Sequence, residues 1–191
     1  RTKPVIVVKA GRHAAAAKAA ASHTGALAGV DAVYDAAFRR AGMLRVLTLE
    51  ELFDAVETLA LARAPRGERL AILTNGGGVG VMATDALMDA GGTLATLSAE
   101  TLAKLDAVLP ATWSRANPID IIGDASAERY TAALQAVLGA PEVDALLVLN
   151  CPTAVTSPDE AASAVLAALP SPNKHSLFTS WVGGVGAAPA R

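Results

Sequence analysis

The stretch LAILTNGGGVGVMATDAL, residues 70–87, decides the fold class of this chain. Its first part, 70–75, is an apolar run typical of a strand buried in a parallel sheet. A helical pattern follows over 79–90 and ends at Gly91 and Gly92. Three successive glycines join the predicted strand to the predicted helix. In a parallel α/β sheet such a turn lies at the carboxyl end of a strand, where ligands bind.

The glycine turn, NGGGVG at 75–80, leaves two interpretations open. Glycines let the backbone come close to a ligand, and the free N–H groups at a helix start favour an anion. The same residues also suit a tight strand-to-helix turn that binds nothing. The turn matches neither the dinucleotide fingerprint nor a Walker loop, since no GK[ST] follows it.

Strands and helices alternate along the rest of the chain, which predicts an α/β protein with a doubly wound parallel sheet. The expected strands are 4–10, 44–47, 70–75, 93–97, 143–150 and 175–181. The expected helices are 31–41 with Gly42 as C-cap, 48–63 from a Thr48–Glu51 capping box, 79–90, 98–107, 127–139 and 157–169. Residues 13–21 fit a helical turn or a mobile loop, and 108–125 are expected to be irregular. The segment APRGE, 64–68, is the best linker, so we predict an incomplete α/β unit at 1–63 and a complete one at 69–191.

Composition excludes several classes of protein. The chain has 191 residues, 52% apolar and 18% charged, with a net charge of −2, which is a globular composition. No basic stretch indicates nucleic acid, and neither a polybasic segment nor a long apolar run indicates a membrane. The single Cys151 excludes an intramolecular disulfide and fits a reducing cytoplasm. The chain begins without an initiator Met or a signal peptide, so we interpret it as a fragment of a longer polypeptide.

His23 is the candidate nucleophile, within SHTGALAG at 22–29. A neutral imidazole can hold a phosphoryl group, the hydroxyls of Ser22 and Thr24 can donate hydrogen bonds, and Gly25 lets phosphate approach. The alternative is an exposed loop histidine, which is how we interpret His13 and His175.

The segment NPIDIIGDA, 117–125, carries two further candidates. Asp120 could bind a metal or orient a loop, whereas turn chemistry is the alternative for both carboxylates, and Asp124 is predicted to cap the following helix. Cys151 is predicted to be a small apolar filler. Trp113 and Trp181 are predicted to be packing residues.

Four segments in this order resemble the NDP-forming acyl-CoA synthetases, relatives of succinyl-CoA synthetase that include ADP-forming acetate–CoA ligase. They are KPVIVVKAGR with AASHTGALAG, NGGGVGVMATDAL, NPIDIIGDA and SWVGG, and the resemblance covers essentially the whole chain. It implies flavodoxin-like CoA-ligase domains, one partial and one complete. It also implies that His23 is phosphorylated and that Asn75, Gly76, Gly77 and Gly78 bind phosphate. Ser22, Thr24, Gly25 and Asp120 are the expected supporting residues, and no metal ligand is assigned.

The resemblance further implies a reaction in which acyl-CoA, NDP and phosphate are interconverted with acid, CoA and NTP. The fragment would hold no cofactor itself, while the full enzyme would use CoA and Mg-ADP or Mg-ATP. Expected partners are phosphate and the CoA-binding and ATP-grasp domains, in the same chain or in a partner subunit; a homo-oligomer stays open. The alternative function is a regulatory, acyl-CoA-sensing module of a protein acyltransferase fused to an acetyltransferase domain.

Overall fold

The computed structural model describes residues 3–24, 29–154, 156–170 and 176–190, with only the backbone of 22–24, 185 and 189. The chain divides into two compact units, Arg1–Leu61 and Ala62–Arg191. Within the described residues, no helix is long and apolar enough to cross a membrane.

The first unit is a small parallel pair of strands with three helices. Its elements are β1 (Ile6–Val8), α1 (Ala14–Thr24), α2 (Asp31–Arg40), β2 (Leu44–Val46) and α3 (Leu49–Leu61). β1 pairs with β2 in parallel, with Ile6 opposite Leu44. The strand predicted at 4–10 is shorter than expected, since only Ile6–Val8 is extended and paired. It is not deeply buried, because a sheet of two strands is too small to have both of its faces covered. Of the segment 13–21, all but His13 belong to a full helix, α1.

Charged side chains tie α2 to β2 in this unit. The Arg45 guanidinium donates to both carboxylate oxygens of Asp31, at 2.6 and 2.8 Å, and to Asp35 at 3.2 Å. The Arg45 hydrogen bond lowers the pKa of Asp31. Gly42, with φ +63°, ends α2 as predicted, since its N–H donates to Arg39 O and the next N–H to Phe38 O, the pattern of a Schellman motif.

The second unit is a doubly wound parallel sheet, as the alternation predicted. Its elements are β3 (Arg69–Thr74), α4 (Gly77–Asp89), β4 (Thr93–Leu94), α5 (Ala99–Val108), β5 (Ile119–Asp120), α6 (Ala127–Leu138), β6 (Ala145–Asn150), α7 (Pro158–Ala168), β7 (Ser176–Trp181) and a terminal 3₁₀ segment (Val185–Ala190). The strand order is β4-β3-β6-β7, with β5 also paired to β3. All of these pairs are parallel.

The two faces of this sheet carry different helices. Ala71 and Leu73 of β3 join a buried cluster with residues of α5, α6 and α7, including Leu105, Tyr130 and Val165. Because side chains alternate along a strand, Thr74 points to the other face, where α4 packs against it through Gly80. The predicted packing roles of Trp113 and Trp181 are confirmed, since both belong to the buried cluster.

An asparagine amide completes one edge of β3. β4 pairs with the beginning of β3 and β5 with its end, which leaves a gap between them. The Asn117 amide fills this gap: its Oδ1 accepts from Ile72 N–H at 2.9 Å, and its Nδ2 donates to Leu70 O at 2.9 Å and Ala95 O at 3.0 Å. The expected strand 93–97 is thus only two residues long. The segment 108–125, expected to be irregular, contains the strand β5.

Serine residues cap three helices of the second unit. Ser98, Ser126 and Ser157 each accept a hydrogen bond from a backbone N–H of the first turn, and Ser157 with Glu160 forms the predicted capping box. The prediction that Asp124 caps α6 is wrong, because Ser126 occupies that position and Asp124 pairs instead with Arg129.

Glu142 braces the start of α5 from outside the helix. Its Oε1 accepts from the N–H of Ser98 at 2.8 Å and from the hydroxyl of Thr101 at 2.7 Å. Burial alone would raise the pKa of Glu142, but these hydrogen bonds outweigh it and hold the pKa at about 2.

Candidate functional site

The candidate site lies where the strand order of the second unit reverses. β3 has β4 and β5 on one side and β6 on the other, so the connections leave β3 and β6 in opposite directions. In open α/β sheets, ligands bind in the crevice at the carboxyl ends of two such strands. Here β3 continues into Asn75 and the glycine turn, and β6 continues into Cys151.

Asn75 links the two strand ends. Its Nδ2 donates to Cys151 O at 2.9 Å, and its Oδ1 accepts from Cys151 N–H at 2.7 Å. The side chain is buried, at 4% exposure. Asn75 is therefore placed to hold the glycine turn in position, because its amide is already engaged with the backbone of Cys151.

The glycines of the turn differ in the space around them. A Cβ on Gly76 would overlap Cys151 Sγ, and a Cβ on Gly77 would lie 2.7 Å from Asp120 Oδ2. Around Gly78, no other described residue beyond its chain neighbours and its own helix backbone comes within 4 Å of the Cβ position. Close packing therefore requires glycine at 76 and 77, whereas 78 is open to solvent.

The helix after the turn begins without a side-chain cap. α4 starts at Gly77, two residues earlier than predicted, with Gly76 as N-cap and no side-chain hydrogen bond to its first turn. The Gly76 N–H is already bonded to Thr74 Oγ1 at 3.0 Å, but Gly77 and Gly78 are exposed. The N–H groups of an uncapped first turn, together with the helix dipole, form an anion-binding end.

Asp120 stands beside this helix start and is held firmly. Its N–H donates to Ser114 Oγ at 3.0 Å, and its Oδ1 accepts from Ile122 N–H at 2.9 Å. The second carboxylate oxygen, Oδ2, faces Gly77. Within the described residues, no group of three or more His, Cys, Asp and Glu side chains could hold a metal ion.

A buried polar pair supports the strand ends from below. The Tyr130 hydroxyl donates to Leu149 O at 3.2 Å and accepts from Asn150 Nδ2 at 3.0 Å. Burial raises the pKa of Tyr130, and Asp120 raises it further. The Oδ1 of Asn150 is buried and makes no hydrogen bond in the part of the chain that the structure describes.

Cys151 is not a simple apolar filler, although burial does raise the pKa of its thiol. Its backbone receives both hydrogen bonds of Asn75, and its sulfur forms the wall against Gly76. The sequence analysis missed the role of Cys151 and that of Tyr130 and Asn150. A usable signal was present, because an asparagine ends both apolar runs, LAILTN and ALLVLN.

The structure describes the candidate nucleophile only in part. Ser22, His23 and Thr24 form the last turn of α1 rather than a loop, as their backbone shows. Their side chains and Gly25 lie outside the described residues, as does His175. His13 precedes α1 and is exposed, as expected.

Comparisons with known proteins agree with this architecture. Residues 1–59 match the Succinyl-CoA ligase like flavodoxin domain, and residues 70–173 match the Ligase-CoA domain. The alpha subunit of ADP-forming acetate–CoA ligase I from Pyrococcus furiosus is 44% identical over 100% of this chain and 41% of its own length. ADP-forming acetate–CoA ligase I from Archaeoglobus fulgidus is 49% identical over 81% of this chain and 22% of its own length.

A solved structure matches over nearly the whole chain. It is the dinucleotide forming acetyl-coenzyme A synthetase 1 of Ca. Korarchaeum cryptofilum in complex with phosphate and ADP, with a TM-score of 0.89 and 42% identity. The match covers 98% of this chain and 41% of that one. The chain thus spans between 22% and 41% of the length of these relatives.

The chain belongs to the Ligase-CoA family, the succinyl-CoA synthetase-like class of α/β proteins. This confirms the resemblance to the NDP-forming acyl-CoA synthetases and the flavodoxin-like fold that it implied. The two relatives from Pyrococcus furiosus and Archaeoglobus fulgidus are ADP-forming acetate–CoA ligases.

Proposed function

We propose that this chain is the phosphohistidine and phosphate-binding part of an NDP-forming acyl-CoA synthetase. The observation that carries the proposal is the uncapped start of α4 at the sheet's switch point, where Gly77 and Gly78 present exposed backbone N–H groups. Phosphate is the anion that the proposed reaction would bring there. The relatives that match most of the chain are ligases, and no observation favours the acyltransferase alternative.

The proposed reaction divides into three transfers. Phosphate attacks the acyl-CoA carbonyl carbon and displaces the CoA thiolate, which gives an acyl phosphate. His23 then takes the phosphoryl group, the acid leaves, and the phosphohistidine passes the group to NDP to form NTP. Because phosphoryl transfer depends mainly on positioning and charge stabilisation, one imidazole and a helix N-terminus can supply its essential parts.

Four residues of the second unit, 75–78, would each have a defined role in this reaction. The N–H groups of Gly77 and Gly78 would hold the phosphate oxygens, while the helix dipole adds about 0.3–1 kcal/mol at an exposed helix end. Gly76 allows the close approach to Cys151, and Asn75 keeps the ends of β3 and β6 together. These roles use the backbone of the turn and need no nearby cationic side chain.

The proposal requires modules beyond the residues described. A CoA-binding domain and an ATP-grasp domain, in the same chain or in a partner subunit, would supply the sites for CoA and for Mg-ADP or Mg-ATP. The matched structure of an acetyl-coenzyme A synthetase holds phosphate and ADP, which supports these ligands for the complete enzyme. We therefore expect no acyl-CoA synthetase turnover from the 191-residue chain alone.

Radiolabel transfer tests the proposal directly. The complete enzyme that contains this chain is incubated with γ-labelled NTP, and acid-labile, base-stable label on the protein is measured. We expect His23→Ala to abolish the label and the matched control His13→Ala to retain it. Label that persists in His23→Ala at the wild-type level would refute the assignment of the phosphorylated residue.

A further inference from the structure

The start of α4 carries a feature that a simple phosphate cradle does not need, namely a carboxylate. Asp120 Oδ2 lies 2.7 Å from the position that a Cβ on Gly77 would take. A fully ionised anion bound at Gly77 would therefore approach a second negative charge. Unless a proton lies between them, the two charges repel, and binding is weakened.

The carboxylate cannot easily turn away. Its Oδ1 accepts a hydrogen bond from Ile122 N–H, and the backbone N–H of Asp120 is fixed by its bond to Ser114 Oγ. Ser114 is itself fixed by donating to Pro118 O at 2.7 Å. In the ranges that the structure describes, Oδ2 accepts no hydrogen bond, and it lies beside the uncapped start of α4.

A second acceptor is unsatisfied at the same strand ends. Asn150 ends β6 and is 1% exposed, and its Oδ1 has no hydrogen bond in the described part of the chain. The amide orientation is set by Tyr130, whose single hydroxyl proton goes to Leu149 O, so the hydroxyl accepts from Asn150 Nδ2. At the start of α4 itself, a site with N–H donors and the Asp120 acceptor suits a ligand that carries a proton as well as negative charge.

We propose that Asp120 is a specificity-determining residue that accepts a hydrogen bond from the P–OH of bound phosphate. Between pH 5 and 8 inorganic phosphate always carries at least one proton, whereas sulfate of the same shape carries none. The charge-assisted O–H···O⁻ bond is available only to the protonated anion. This inference rests on the proposed function, because it concerns the phosphate site at the glycine turn.

The substitution Asp120→Asn gives a sharp test because it replaces a hydrogen-bond acceptor, Oδ2, with a donor, while the bond from Ile122 N–H keeps the side chain in place. The amide Oδ1 keeps the bond from Ile122 N–H, so Nδ2 takes the place of Oδ2. Sulfate would then gain a donor, and phosphate would lose its acceptor. The matched control is Asp124→Asn, which removes an exposed carboxylate from the same segment without changing the glycine turn.

Binding is measured on the full 191-residue chain by following the ¹⁵N–¹H signals of Gly77 and Gly78. Sodium phosphate and sodium sulfate are titrated at pH 7 and equal ionic strength. We expect wild type and Asp124→Asn to bind phosphate about tenfold more tightly than sulfate, which is the effect of one hydrogen bond to a charged group. The dissociation constants of Asp120→Asn for the two anions should agree within about twofold. The same spectra show whether each variant is folded.

A second measurement needs no variant. Methyl phosphate has a P–OH at pH 5 and loses it above its second pKa of about 6. Wild type should bind the protonated monoanion more tightly than the dianion, the reverse of what backbone N–H donors alone would favour. The neighbouring Cys151 thiol and Tyr130 phenol keep their protons over this range because burial raises the pKa of each.

The outcomes separate the two proposals. Equal binding of phosphate and sulfate by wild type, or a preference that survives Asp120→Asn, would overturn the role of Asp120 and leave the phosphate site standing. If neither anion moves the Gly77 and Gly78 signals, the proposed phosphate site is wrong and the inference falls with it.

Discussion

Substituting Gly77 with alanine tests whether the glycine turn is shaped by its neighbours. The new Cβ would lie 2.7 Å from Asp120 Oδ2, well inside van der Waals contact. Asp120 cannot yield without losing its bond to Ile122 N–H, which is worth about 0.5–1.5 kcal/mol. Moving the helix start instead costs about 1–3 kcal/mol of overpacking.

An opposing effect must be subtracted. Alanine is the better helix former, and replacing glycine inside a helix gains about 0.5–1 kcal/mol. Because Gly77 is the first residue of α4, the gain falls at the lower end of this range. The cheaper relaxation, loss of the Ile122 bond, sets the cost, so we expect Gly77→Ala to lower the free energy of unfolding by up to about 1 kcal/mol.

Two companion variants make this prediction specific. Gly78→Ala meets no atom within 4 Å, so it should be neutral or slightly stabilising. In an Asp120→Ala background the contact disappears, and Gly77→Ala should then cost nothing. The cycle should give a coupling energy of about 0.5–1.5 kcal/mol between positions 77 and 120.

Urea unfolding followed by tryptophan fluorescence provides the assay. Both tryptophans, Trp113 and Trp181, lie in the second unit, so their signal reports on the sheet that carries the turn. If Gly77→Ala and Gly78→Ala shift the midpoint equally, or if the cycle shows no coupling, the contact between Asp120 and the turn does not act as described.

Further variants test the supports of the second unit. Asn117→Ala should destabilise it by about 2–5 kcal/mol in urea unfolding, since Ile72 N–H loses its partner and Leu70 O and Ala95 O each lose a hydrogen bond. Thr93→Ala on the same edge should stay within about 0.5 kcal/mol, and equal effects would contradict the bridging role. Tyr130→Phe should lower the free energy of unfolding by about 1–3 kcal/mol, and an unchanged urea midpoint would show that the hydroxyl does not contribute to stability. For Glu142, whose pKa is lowered from 4.5 to about 2, the stabilisation is present above pH 4.5 and is lost as the pH falls toward 2. Glu142→Gln should therefore be less stable than wild type at pH 7, and its free energy of unfolding should change less between pH 4.5 and 2. An acid-unfolding profile identical to that of wild type would refute the bracing role.

The pattern of the sequence predicted the fold well because the signals are local. The apolar runs around 70–75 and 143–150 and the serine caps of α5 and α7 depend on neighbours in the chain, and the structure has them nearly as expected. The short strands β4 and β5 were misjudged, since a strand of two residues has no periodicity and exists through its partner β3.

The site was harder to predict than the fold. The glycine turn could be recognised from composition, but the contact of Gly77 with Asp120 joins residues 43 positions apart, which no local pattern reveals. The same holds for the bonds between Asn75 and Cys151, at a separation of 76 residues. The assignment of His23, and of the glycines as phosphate ligands, stays a prediction that the phosphorylation and titration experiments address.

The amide of Asn117 also has a consequence for how the chain avoids unwanted association. A strand edge with unpaired N–H and C=O groups is a template for another chain. Between β4 and β5, β3 would offer such an edge, but the planar amide of Asn117 presents a carbonyl and an NH₂ where a peptide unit would stand. The protein thereby closes a vulnerable stretch of backbone with one side chain, and replacing that side chain would expose a docking point for aggregation during folding.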